Sequence, residues 1–180
     1  MPSTNYNPST IERVGDLKRG LLVETTDVSY LSWGVGVQAE LFTVYNRIIV
    51  CGLWGEVGAV DLVGAGCLHL FNWTSSVPVV AVQPICAVGT SIHAFVRGRR
   101  FSLPGTAVAT AEAVTASAGI SYHNVEPNAQ MILGVAPSAT VTSVSTIGCL
   151  TSIAVLTAGS ARFSLLYVPL DTGAYAEARL

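Results

Sequence analysis

The sequence predicts an all-β protein, a jelly-roll-like β-sandwich preceded by an extended N-terminal arm. Three observations lead there. Short runs of β-branched and aromatic residues recur between clusters of Gly, Pro, Ser and Asn, the spacing of strands and turns in a sandwich. The apolar fraction is 51% while only 11% of residues are charged, against about 25% in an ordinary soluble domain. The 180 residues suffice for one buried core and are few for two. Three regions follow: residues 1–39 as arm and anchoring segment, 40–171 as the sandwich, and 172–180 as a C-terminal tail.

Met1 to Thr10 is Pro, Ser, Thr and Asn around little apolar surface, so it is expected to be extended. Ile11 to Gly20 gathers Glu12, Arg13, Asp16, Lys18 and Arg19, a segment that should meet water or a polar partner. Leu41–Val44 and Ile48–Trp54 read as two strands of a hairpin, because Asn46 tolerates the positive φ of a tight turn. The second run is apolar on both faces, which predicts a central strand. A glycine-rich turn region spans 58–66.

Cys67–Asn72 and Val77–Val82 are further strands, the latter set at an edge or bend by Pro78 and Pro84. Ser91–Arg97 alternates, with Ile92, Ala94 and Val96 on one face and His93 and Phe95 on the other. Val108–Ala118 is the one stretch with a helical reading, weakened by its Thr and Ser. Gln130–Val135 is a short apolar strand. Leu150–Thr157 and Ala161–Val168 form a pair around Ala158-Gly159-Ser160. In the second, Phe163, Leu165 and Tyr167 oppose Arg162 and Ser164, a period of two. Pro169 stops it.

Several function classes are disfavoured. A net charge of −2 and a pI near 5.8 do not suit a protein that grips nucleic acid. Residues 127–161 carry no charge, but Ser, Thr, Pro and Gly interrupt them too often for a membrane helix. The first ten residues lack a basic start and an apolar run, so no secretory signal is expected. Cys51, Cys67, Cys86 and Cys149 form no C-x-x-C pair, and each sits among apolar neighbours, as small buried hydrophobes do.

His69, His93 and His123 are too far apart in sequence to form a zinc motif, so no metal or cofactor is assigned. Of the carboxylates, Glu40, Glu56, Asp61, Glu112, Glu126 and Asp171 fall outside the exposed ends. Glu56 stands out for following Trp54 in an apolar strand. No nucleophile elbow, phosphate loop or dinucleotide fingerprint occurs, so no catalytic residue is named. Asn72-Trp73-Thr74 matches a glycosylation sequon, read as chance. Arg97, Arg99 and Arg100 surround Gly98 at an expected hairpin tip. With Arg13, Lys18 and Arg19 they are the candidate partner contacts, since guanidinium groups bind phosphate or carboxylate. Trp33, Trp54 and Trp73 are the aromatics that a carbohydrate-binding face would need. So few charges on so large a surface predict burial in a homo-oligomer, a dimer or a trimer.

Leu41-Phe42-Thr43-Val44-Tyr45-Asn46-Arg47-Ile48-Ile49-Val50, continued by Leu53-Trp54-Gly55-Glu56-Val57, resembles a hairpin of small structural proteins of tailed bacteriophages, L-F-x-V-x-G-R-[VI]-x-V followed by L-x-G-E-V. Such proteins tend to close with Y-V-P-L-D-x-G-A, and Tyr167 to Ala174 reads YVPLDTGA. Asn46 stands where the family usually has Gly; residues 65–161 have no counterpart. The resemblance implies a virion protein on the outer capsid surface, a trimeric decoration or cement protein that bridges neighbouring subunits of the major capsid protein. A tail, baseplate or fibre component, or a carbohydrate-binding jelly roll, is the alternative.

Overall fold

The structure, a computed structural model, describes residues 20–29, 38–64, 68–77, 79–85, 91–102, 113–114, 131–137, 143–152 and 156–179. The regular elements among them are strands: β1 (Leu21–Glu24), β2 (Val28–Ser29), β3 (Gln38–Tyr45), β4 (Ile48–Val57), β5 (Val63–Gly64), β6 (Leu68–Val77), β7 (Val79–Pro84), β8 (Arg100–Ser102), β9 (Ala113–Val114), β10 (Met131–Leu133), β11 (Val144–Ser152), β12 (Leu156–Ala158), β13 (Ser160–Pro169) and β14 (Tyr175–Ala178).

A seven-stranded sheet runs β1-β13-β4-β8-β9, with β10 added to β4 and β2 to β13; a five-stranded sheet runs β14-β3-β11-β6-β7; β5 and β12 pair separately. The chain is thus an all-β sandwich. The two sheets meet through aromatic rings. Phe71 of β6 lies 6.3 Å from Phe163 of β13 and 6.4 Å from Phe101 of β8, centroid to centroid. All three rings are fully buried, within the separations at which aromatic pairs attract. As expected, β4 is central, flanked by β13 and β8, and Phe163, Leu165 and Tyr167 all face the core.

The expected hairpin at Tyr45-Asn46 is not one. β3 pairs with β11 and β14, whereas β4 pairs with β13, β8 and β10, so the turn carries the chain from one sheet to the other. Leu41, Phe42 and Val44 before the turn, and Ile48 and Val50 after it, are all core residues. The backbone of the turn bonds other connections instead of closing β3 on β4: Asn46 N donates to Ser143 O, and Arg47 O accepts from Leu170 N and Asp171 N. Asn46 does take a positive φ, 58°. The same correction applies at Ala158-Gly159-Ser160. Leu150 belongs to β11, and β12 pairs with β5 rather than with β13.

A hairpin does join β6 and β7, where Ser76 pairs with Val79. Ser91–Arg97 is a series of turns, not a strand: Ile92 and Phe95 are buried while Val96 is exposed. Ala94 takes a φ of 63°, and its amide bonds Leu62 O. Of the helical reading over Val108–Ala118, only Ala113 and Val114 are described; they form β9, paired with β8. β1 and β2, within the segment assigned to the arm, pair with β13, and β14 in the C-terminal segment forms an edge strand on β3.

Three sheet-crossing connections converge at one end of the sandwich. Asn46 donates its amide to Ser143 O at 3.0 Å and accepts from Ser143 N through Oδ1 at 3.2 Å, which ties the β3–β4 turn to the start of β11. Arg47 Nε and Nη2 bond Asp171 Oδ2 and Oδ1 at 2.9 and 2.7 Å, a bidentate clamp. The amides of Leu170 and Asp171 in turn bond Arg47 O. The hydrogen bonds from Arg47 hold the Asp171 carboxyl below the usual range, against the desolvation that would raise it.

Candidate functional site

The outer face of the seven-stranded sheet is built in cross-strand rows. One row reads Glu24, Ser164, Trp54 across β1, β13 and β4; the next reads Arg162, Glu56, Arg100 across β13, β4 and β8. Period-two alternation sets both rows on the face away from Phe163, Leu165 and Leu53. Loops close the ends: Asp27 after β1, Gly58 and Ala59 after β4, and Arg97 and Gly98 before β8. Together these residues line a cleft of about 440 Å³, a size usual for small-molecule sites.

Among the described residues Trp54 is the one aromatic that lines the cleft. Its six-membered ring rests beside Gly52, where a side-chain carbon would come within 3.1 Å of Cζ3. The absence of a side chain at Gly52 lets the half-buried indole lie along the sheet. Ser164, small and buried, lies between Trp54 and Glu24 in the first row.

Among the described residues the lining charges balance in number, three carboxylates against three guanidinium groups. Arg100 Nε meets Glu56 Oε2 at 2.5 Å, and Arg162 Nη2 meets Asp27 Oδ1 at 3.4 Å. Asp27 also accepts the Ala59 amide at 3.3 Å. Glu24 is held only by the Ser164 hydroxyl, at 2.9 Å. Among the described residues neither Glu24 nor the Arg97 side chain has an ion-pair partner. One acceptor and one donor group therefore face the cleft without a counter-charge.

The sequence candidates divide accordingly. Arg97 and Arg100 line the cleft, whereas Arg99 packs its guanidinium over the Phe95 ring at 4.0 Å. They sit at a turn leading into β8, not at a hairpin tip. Arg13, Lys18 and Arg19 lie outside the described residues, as do Cys67, Cys86, His123 and Trp33. His93 is exposed, its Nδ1 2.5 Å from Ser91 Oγ; among the described residues no three metal-ligating side chains gather. Trp73 packs against the core. Asn72 is fully buried within β6, which closes the sequon to modification of the folded chain. Neither Cys51 nor Cys149 is in a disulfide.

Sequence reasoning missed Glu24 and Asp27, set aside as part of an exposed end. The one available signal was the placing of Trp54 and Glu56 two residues apart, on one face of a strand. No family model matches the chain, and no curated protein or solved structure is significantly similar to it.

Proposed function

We propose that this chain is a non-enzymatic structural protein of a tailed-phage virion, a homotrimer that decorates or cements the outer capsid surface by bridging neighbouring major capsid protein subunits. The observation that carries this reading is the clamp between Arg47 and Asp171. The two segments that resemble phage structural proteins are more than a hundred residues apart in sequence, yet their most distinctive residues bond each other at one end of the sandwich. The resemblance is then to a single folded unit, two adjacent sheet crossings and their lock, rather than to two unrelated short matches.

A second feature supports an assembling role. On the same outer face as the cleft, Leu22 and Ile132 are 57% and 56% exposed, beside half-buried Leu166 and Ile49 in register with them. Contiguous apolar surface of this kind marks contact with other protein. The test is quantitative mass spectrometry of virions encoded by the same genome. On this reading the chain is present at a ratio on the order of one to one or one to three with the shell protein. A few copies per particle moves it to the tail or a fibre, and absence from the particle overturns the reading.

A further inference from the structure

We infer that the cleft around Trp54 is a binding site for a neutral pyranose saccharide. This does not depend on the virion reading; it stands on the chemistry of the lining. A pyranose presents a face of C–H groups ringed by hydroxyls, each of which can donate one hydrogen bond and accept others. It needs an aromatic surface for the first and a mixed set of acceptors and donors for the second. The cleft supplies both.

The half-buried indole of Trp54 makes no side-chain hydrogen bond to a described residue and lies along the bare backbone at Gly52. Around it stand the carboxylates of Glu24, Asp27 and Glu56 and the guanidinium groups of Arg97, Arg100 and Arg162. Two ion pairs, Glu56 with Arg100 and Asp27 with Arg162, hold four of these in place before any ligand arrives. Glu24 and Arg97 remain to accept from and donate to ligand hydroxyls.

The balance of charge argues against the competing ligands. A phosphate or a polyanion would meet three carboxylates beside the arginines, and a cation would meet three arginines beside the carboxylates. A neutral polyol gains bonds from both sets.

The experiment is a glycan array carrying neutral, uronic-acid and sialylated oligosaccharides, followed by calorimetric titration of the best neutral binder. The expected result is binding to a neutral saccharide that weakens about 10-fold to 100-fold in Trp54→Ala, the loss of a buried aromatic anchor. Trp54→Phe should retain part of it. Glu24→Gln should weaken binding about 10-fold, as for a lost hydrogen bond to a charged acceptor. Glu24 is an exposed edge-strand residue, so this variant keeps the fold if Trp54→Ala does not. Affinity should change little between about 50 mM and about 500 mM salt, since no net charge is neutralised. No binding to any neutral glycan, or binding that both Trp54→Ala and Glu24→Gln leave unchanged, overturns the inference. So does binding confined to acidic glycans that fades steeply with salt.

Discussion

Phe101 joins the two sheets to the turns that carry Arg97, and its truncation should cost more than that of any single ion pair. The ring is fully buried and lies 6.0 Å from Phe163, 6.3 Å from Phe95 and 6.4 Å from Phe71. Phe101→Ala removes those contacts and leaves a cavity that neighbouring strands can only partly close, a change of about 3–5 kcal/mol. For a chain of this size each kcal/mol shifts Tm by about 2–4 °C, so a drop of about 6–20 °C is expected. The partner variant is Gly55→Ala, which sets a methyl group 2.7 Å from Phe101 Cε2 and should cost about 1–3 kcal/mol by overpacking. In the double variant the methyl enters the space the ring has left. Its cost should fall short of the sum by at least about 1 kcal/mol, read from urea unfolding at unchanged m-value. Additive costs, or a loss below about 1.5 kcal/mol for Phe101→Ala, would refute the packing of β8 against β4 and β6.

Other expectations are smaller. Asp171 is held below the usual carboxylate range by Arg47, so the unfolded chain takes up this proton first as pH falls. Its stabilisation is complete above the unfolded value and lost as pH drops through the folded one; the decline in urea midpoint between about pH 5 and about pH 3 should be shallower in Asp171→Asn. Cys149 is fully buried and should react with iodoacetamide only on unfolding. Cys51, its pKa raised by burial, should react more slowly than a free cysteine at pH 8, as followed by intact-mass spectrometry. Asn46→Ala should be less stable than Asn46→Gly by about 1 kcal/mol in the same urea assay, because both lose the bond to Ser143 but only Ala is strained at a φ of 58°.

Strand content was legible because alternation and β-branching report burial directly. Phe163, Leu165 and Tyr167 could be assigned to one face from the sequence, and they are buried there. Which strand pairs with which was not legible at the turns. A short turn between two apolar runs suits an edge-to-edge hairpin and a sheet-to-sheet crossing equally well. The decision lies with strands distant in sequence, β11 and β14 taking up β3 while β13, β8 and β10 take up β4. At Ser91–Arg97 the apparent period of two failed because Ile92 and Phe95 reach the core from successive turns, three residues apart. The cleft was hidden for a different reason. Its charged residues come from β1, β4, β8 and β13 and from the loops beside them, and register alone brings Glu24 opposite Ser164 and Arg162 opposite Glu56.

Stability does not account for the way this chain spends its charges. It has nine basic and eleven acidic residues, and six of them line one cleft. Exposed ion pairs contribute little to folding, and polar side chains such as Ser and Thr would keep the same face in water. Among the described residues Glu24 and Arg97 have no ion-pair partner. Replacing both, as Glu24→Gln with Arg97→Gln, should therefore leave Tm within about 2 °C of the parent while removing saccharide binding. If thermal unfolding instead shows a large loss, the two side chains belong to the fold, and the cleft is a by-product of sheet packing.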